Sequence, residues 1–439
     1  MKDSGIEWIG EMPSNWSLHR MKSCITDRTS GAWGNEAANN DGDTICLRVA
    51  DFDYSRYRFK DVPMEDLTVR NYDNSTKEKL MLSKGDILIE KSGGGEKTPV
   101  GRTVIFDKDY PALYANFIDR LRVSDLVLNN WMQYVFVTFY KNDYSKNYIK
   151  QTTGIQNLDL TNMLASERIP VPSIDEQQRI VSFLDTECSR IDAVIEQTQA
   201  SIEGYKKLKQ AVITQAVTKG IRPNRPMKDS GIEWIGEIPE DWETVQLKRI
   251  AQIQTGNTPS KNENDKYYSQ YSGYLWIKAE DLGSTKPIEK TTEYLTDEGI
   301  KGARLFPPNT VFVCCIASVG KVGYCKMPAS CNQQINGLIF HNVYWKYGFY
   351  FTIAQESEYI NNASGNVMKI INSDKQSKLM CPLPTIEEQH YIVNYLDSKC
   401  AYIDVIISKK EKLLSELETY KKSLVYEYVT GKKEVGNEL

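Results

Sequence analysis

Two glycine-rich segments of this sequence set side-chain hydrogen-bond donors beside exposed backbone NH groups. Lys91-Ser-Gly-Gly-Gly-Glu-Lys-Thr-Pro-Val-Gly-Arg102 combines three cations (Lys91, Lys97, Arg102) with the hydroxyls of Ser92 and Thr98. Its glycines, among them Gly93 and Gly94, leave backbone NH groups uncovered. Ala317-Ser-Val-Gly-Lys-Val-Gly323 is a shorter counterpart with Ser318 and Lys321. Glycine lets a backbone approach a ligand closely, and Lys, Arg and Ser can meet phosphate oxygens or guanine edges. A third segment, Cys331-Asn-Gln-Gln-Ile-Asn336, sets Asn332, Gln333 and Gln334 in succession with Asn336 close by. Such amides can bridge N6 and N7 of adenine. Each segment also has a plainer reading, as a hairpin turn with solvated lysines or a polar turn of the kind Asn favours. The recurrence of the glycine-rich loop favours a binding surface, because functional residues concentrate on loops.

Catalytic chemistry is harder to assemble from these residues. Gly93-Gly94-Gly95 runs into Val100-Gly101-Arg102, not into the Gly-Lys-Ser/Thr of a phosphate loop. There is no Asn/Asp-Pro-Pro-Tyr/Phe tetrapeptide of the adenine methyltransferase type. Three histidines at unrelated places (His19, His341, His390) argue against a Ser-His-Asp or Cys-His arrangement. The nine cysteines include no Cys-x-x-Cys pair, so buried free thiols are expected and a zinc site is not. A net charge of −4 gives no bulk attraction to a polyanion, although local basic patches decide such binding. The polar start Met1-Lys2-Asp3-Ser4-Gly5 has no apolar segment of the signal-peptide kind, and no run reaches the length of a membrane span. A cytoplasmic protein is expected.

The elements that position these loops come in two copies. Met1 to Trp16 returns as Met227 to Trp242 with thirteen of sixteen residues identical, at an offset of 226. Pro170 to Asp185 returns as Pro382 to Asp397 at an offset of 212, and that register continues to Thr218 and Thr430. Each unit is therefore a head, a divergent body and a tail. The tails read as long helices opened by capping boxes, Ser173-x-x-Glu176 and Thr385-x-x-Glu388. Their apolar stripe (Ile180, Leu184, Cys188, Ile191, Ile195, Ile202, Tyr205, Leu208, Val212, and in the second tail Ile392 through Tyr420 and Leu424) is of coiled-coil type. The two stripes are expected to pack on each other, antiparallel.

The bodies read as mixed α/β with many short strands. Gly85 to Glu90 and Asn309 to Cys314 occupy corresponding places, as do Tyr148-Ile149…Gly154 and Tyr359-Ile360…Gly365. Beyond those last glycines lie Gln156 and Asn157 in one body, and Asn366 and Lys369 in the other. The chain divides into 1–171, helix 172–219, linker 220–226, 227–383, helix 384–431 and tail 432–439. Trp8 and Trp234 are expected in the core, and most of the 26 tyrosines as ordinary strand residues.

The doubled head, the helix opening Pro-x-Pro-x-Ile-Asp/Glu-Glu-Gln, and the endings Val217-Thr-Lys-Gly220 and Val429-Thr-Gly-Lys432 together resemble the specificity subunits of type I restriction-modification systems. Thr255-Gly-Asn-Thr-Pro-Ser260, Trp276-Ile-Lys278 and Ser318 to Gly323 resemble features of their target recognition domains, which adds Thr258 and Lys278 to the candidate DNA contacts. The first body departs from this pattern, with Ser30-Gly31-Ala32-Trp33-Gly34 at the Gly-Asn-Thr-Pro turn. The resemblance implies an α+β fold: two mixed α/β target recognition domains in pseudo-twofold arrangement, separated by two long antiparallel coiled-coil helices. It implies double-stranded DNA with a bipartite target as ligand, and two methyltransferase and two ATP-dependent restriction subunits as partners. S-adenosylmethionine, ATP and magnesium would belong to those partners, and this chain would have no catalysis of its own. A type IIB-like specificity subunit, a non-DNA coiled-coil scaffold and a fused methyltransferase are the other readings.

Overall fold

A computed structural model describes the chain except residues 153, 260–263, 367 and 437–439. The chain forms two compact units: residues 1–199 with 412–439, and residues 200–411. Each contains one body and one half of each long helix, Ile174–Lys219 and Ile386–Val429. Ser260, the last residue of the second body's candidate turn, and the end of the tail lie outside the described residues.

The two bodies share a strand arrangement. In the first, Ile25–Ser30, Ile118–Val123, Ile87–Glu90 and Thr103–Ile105 lie side by side in that order. In the second, Ala251–Thr255, Ile335–Phe340, Val311–Cys314 and Val322–Tyr324 repeat the order. A second sheet in each body pairs two strands in parallel, Ala112–Tyr114 with Asp43–Leu47 and Ala329–Cys331 with Tyr274–Ile277. The central strands Ile87–Glu90 and Val311–Cys314 are buried at every residue, as their unbroken apolar runs require. The correspondence of Tyr148 with Tyr359 does not extend to conformation. Tyr148 ends the short helical turn Tyr144–Tyr148 and leads into the hairpin strand Ile149–Thr152, whereas Tyr359 and Ile360 both lie inside the helix Glu356–Asn362. All nine cysteines are buried free thiols, and Trp8 sits in the core.

Within each unit the helix halves pack antiparallel. In the first, Asp192 meets Lys421 while the Phe183 and Tyr428 rings meet at a tilt, 4.6 Å between centroids. In the second, Lys209 meets Asp404 while Tyr205 faces Lys410. The apolar seam holds at Ile180, Leu184, Cys188, Ile191 and Ile202, and at Ile392, Leu396, Cys400, Ile403 and Leu424, all buried. It fails at one pair of equivalent positions. Leu208 is 49% exposed and Tyr420 55% exposed, whereas the adjacent Lys209 and Lys421 turn inward. Because each step rotates a helix by about 100°, burying the lysine forces its neighbour outward.

That exchange ties three elements together in each unit. Lys421 Nζ donates to both carboxylate oxygens of Asp192 (2.6 and 2.7 Å) and to the Ser55 carbonyl of the first body (2.6 Å). Lys209 Nζ donates to Asp404 and to the Thr285 hydroxyl of the second body, both at 2.7 Å. Two further contacts repeat at the tail offset. The Gln177 and Gln389 side chains accept from the backbone NH of Leu128 and Tyr344, and Tyr134 and Tyr350 donate to Asp185 and Asp397.

The heads dock onto the same helices. Ser173 and Thr385 cap them through their hydroxyls, but Glu176 and Glu388 depart from the expected capping boxes. Each accepts instead from a head tryptophan, Trp16 or Trp242, at 2.9 and 3.0 Å. Lys432 donates to the Ile9 and Glu11 carbonyls, and Lys219 to those of Ile235 and Glu237.

Because Lys421 is 6% exposed and the Asp192 side chain is half-buried, Lys421→Ala strands a partly desolvated carboxylate, which is expected to cost up to about 3 kcal/mol. The paired change Lys421→Met with Asp192→Leu is expected to fall within about 2 kcal/mol of the original chain, since apolar replacement of both partners is often tolerated. Chemical unfolding of the two variants checks the difference.

Candidate nucleic-acid interface

The sequence-predicted residues gather mainly at one loop cluster in each body. In the second body, short bonds chain the loops together. Thr258 donates its hydroxyl to Gln333. The Cys315 NH reaches the Gln334 carbonyl at 2.7 Å, and the Ala317 NH reaches the Lys369 carbonyl at 3.0 Å. Asn332 is fixed by its own turn, with the Gln334 NH on its side-chain oxygen at 3.0 Å and its backbone NH on Ile277, next to Lys278. Ser318 is half-buried in the loop beside Ala317, whereas Gln333, Asn366 and Lys369 are exposed. Ala317 adopts φ +62°, so that the chain can turn without the glycine found at the equivalent loop of the first body.

The remaining predicted residues of this body are placed differently. Lys278 pairs with Glu293 at 3.1 Å. Lys321 lines a cavity of about 610 Å³ with Lys209, Thr285, Glu356 and Asp404, against the helices. Asn336 is buried, and its amide donates to Gln376 at 2.6 Å, so it serves the core rather than a surface.

In the first body the loop 91–102 is fastened to the hairpin 149–158. Ser92 donates to the Asn157 side chain at 2.7 Å, and Gly93 pairs in register with Gln156. Gln156 is buried, with its side-chain oxygen on the Val100 NH at 3.3 Å. Gly93 and Gly94 have φ +113° and +55°, the left-handed backbone that glycine adopts without cost. Lys97 and Thr98 are exposed on the loop. Arg102 does not project. It bonds Glu90 through two nitrogens at 2.8 and 3.1 Å and lies 3.7 Å over the Tyr54 ring.

Lys91 anchors the base of this loop. Its ammonium donates to Asp119 at 2.7 Å and to Ser30 at 2.8 Å, and Arg28 reaches the same carboxylate at 2.7 Å. Burial alone would raise the Asp119 carboxyl, but the bonds from Lys91, Ser30 and Arg28 hold it below the usual carboxylate range. Asp119 is thereby a buried anion that positions two cations, half-buried Lys91 and exposed Arg28.

Superimposing the bond patterns aligns the two clusters residue by residue. Gly31 donates to Ile118 as Gly256 does to Ile335, and Lys91 donates to Phe117 as Cys315 does to Gln334. A Cβ on either glycine would meet backbone carbonyl oxygens at 2.3 Å, so only glycine fits there. The first body's Ser30-Gly31-Ala32 turn is therefore the counterpart of Thr255-Gly256-Asn257. Phe117 holds the place of Gln334, and Trp33, like Thr258, stands two residues past the glycine. Sequence reasoning missed Trp33, Phe117, Arg28 and Arg48. Arg48, like Lys278, donates its NH to an aspartate three residues on, at 2.7 and 2.8 Å respectively. Only the shared turn geometry reveals that match.

Arg102→Gln is expected to destabilise the first unit by about 3 kcal/mol at neutral pH, because it strands a carboxylate that is 2% exposed. Burial already holds the Glu90 pKa above its ordinary value, against the pull of Arg102. Losing the guanidinium raises it further. The deficit is then largest above the folded-state pKa and shrinks as the pH falls through it and Glu90 takes up a proton. Unfolding free energies measured between pH 4 and pH 8 test this.

A family model described as "Type I restriction modification DNA specificity domain" matches residues 35–204 and again 239–419. The MjaVIII specificity subunit of a type I restriction enzyme of Methanocaldococcus jannaschii is 27% identical, over 68% of this chain and 70% of its own. The provisionally named MjaX specificity subunit of the same organism is 26% identical, over 97% and 95%. In fold, the chain matches one from a structure of the type I R-M system with a TM-score of 0.70 at 14% identity, covering 96% of this chain and all of that one. Among the described residues no group of three or more His, Cys, Asp or Glu could hold a metal ion, and no helix is long and apolar enough to cross a membrane.

Proposed function

The chain belongs to the type I restriction-modification DNA specificity family, and from this we propose that it selects the DNA site at which a modification and restriction complex acts. The first body reads one half of a bipartite target and the second body reads the other. The long helices act as the spacer between half-sites and as the dock for two methyltransferase subunits, with two restriction subunits in the full complex. The observation that carries this reading is the pair of matched loop clusters. Two copies of one binding surface, built on the same strand order, suit a target made of two separate parts.

Catalysis then lies with the partners, which hold S-adenosylmethionine, ATP and magnesium. Support comes from the side chains at both clusters. They are amides, hydroxyls, aromatic rings and cations, groups that recognise base edges and phosphates. The purified chain is therefore expected neither to methylate nor to cleave DNA without partners.

Exchange of residues 243–381 for the body of a relative tests the modular reading. With methyltransferase subunits present, mapping of methylated adenines is expected to show one half-site changed and the other retained. A change in both half-sites would count against it.

A further inference from the structure

The two loop clusters are built alike and furnished differently. At the place where the second body carries Gln334 and Thr258, the first carries Phe117 and Trp33, which are 46% and 41% exposed. Exposed aromatic rings are costly to leave in water, and here they flank the base of a loop held by cations. Lys91 and Arg28 share the buried Asp119 carboxylate beneath them. Arg70 lies 4.7 Å over the Trp33 ring and bonds only the carbonyls of Trp33 and Gly34, at 3.1 and 3.2 Å. Its charge meets no carboxylate among the described residues, so it remains available to a phosphate. In the second body, by contrast, Cys315 and Asn336 stand where Lys91 and Asp119 stand in the first.

We propose that the two bodies contact DNA by different chemistries at the same structural place. The first makes apolar contact with bases through Phe117 and Trp33, steadied by Lys91, Arg28 and Arg70. The second hydrogen-bonds base edges through Asn332, Gln333, Gln334 and Thr258. This rests on the reading that both clusters face DNA. An aromatic ring can pack on a thymine methyl or against a base step, and an arginine over such a ring brings its charge to the backbone. Amides fixed by their own turn can instead offer a donor and an acceptor together, the pattern that adenine presents in the major groove.

The test uses the chain reconstituted with its methyltransferase subunits and the site established from methylated adenines. Affinity is measured for the intact duplex and for duplexes with either half-site scrambled, over a range of salt. Phe117→Ala is expected to weaken binding to the intact site roughly tenfold and to lose discrimination at one half-site, with the slope of affinity against salt unchanged. Trp33→Gln should affect the same half-site. Gln334→Ala should lose discrimination at the other. Thermal midpoints check folding, and because Phe117 and Trp33 are separately exposed, either variant alone suffices. The proposal is overturned if both aromatic variants leave affinity and discrimination unchanged. It is equally overturned if they weaken both half-sites evenly, or act only through a smaller salt slope. A wild-type complex with no preference for its own methylated site would instead defeat the underlying reading of the chain.

Discussion

A lysine–aspartate pair set between the helices in each unit, with Lys421 buried and Asp192, Lys209 and Asp404 half-buried, is the contact on which the rest of the structure depends. Lys421 with Asp192, and Lys209 with Asp404, join one long helix to the other and, through Ser55 or Thr285, to the body beside them. Buried charges are expensive unless paired and fully hydrogen-bonded. A slip of either helix would strand an ammonium on one side and a carboxylate on the other, so the pair penalises wrong registers that a purely apolar seam would tolerate. Burial raises the Asp192 carboxyl against the pull of Lys421, which shows how closely its solvation has been exchanged for that one partner. Repetition at the tail offset gives both bodies the same mounting, reinforced by the bonds of Gln177 to Leu128 and Asp185 to Tyr134 in the first unit and of Gln389 to Tyr344 and Asp397 to Tyr350 in the second.

With the mounting fixed, the loop clusters are free to diverge. Their backbone bonds coincide almost residue for residue, from the glycine that lets the chain pass under a carbonyl to the turn that carries Phe117 or Gln334. The side chains displayed on that frame differ in kind. A rigid scaffold with exchangeable contacts is what recognition of two unrelated half-sequences would require. Other polar side chains of the bodies are committed to protein partners. Arg102 neutralises Glu90, Arg48 neutralises Asp51, and Asn336 completes a core bond with Gln376.

Much of this was legible in the sequence, and the reasons differ by level. Head and tail repeats located both long helices and their partnership, because burial enforces an apolar period over many residues. The same periodicity misplaced Leu208 and Tyr420, since a stripe of apolar letters does not show that a neighbouring lysine has a buried partner. Glu176 and Glu388 matched a local capping pattern but answer to tryptophans some 150 residues away in sequence, which no local rule can register. In the candidate interface, glycine-rich loops and the amide run stood out by composition. Phe117 and Trp33 did not, because an aromatic residue in a body rich in strands reads as core until its exposure is known.

We propose that the helices, fastened to their bodies at these pairs, set the distance between two separately read half-sites. Seven residues inserted after Glu203 and after Ser415 fall between Asp192 and Lys209 on one helix and between Asp404 and Lys421 on the other. Seven preserves the apolar repeat, leaves every lysine–aspartate pair with its own body, and adds about 10 Å of helix at 1.5 Å per residue. Sequencing of methylated adenines in cells carrying this variant with its methyltransferase is the direct measurement. The expected result is the same two half-sequences with the spacer lengthened by about one to three base pairs, at ~3.4 Å each. An active complex with an unchanged spacer would contradict it.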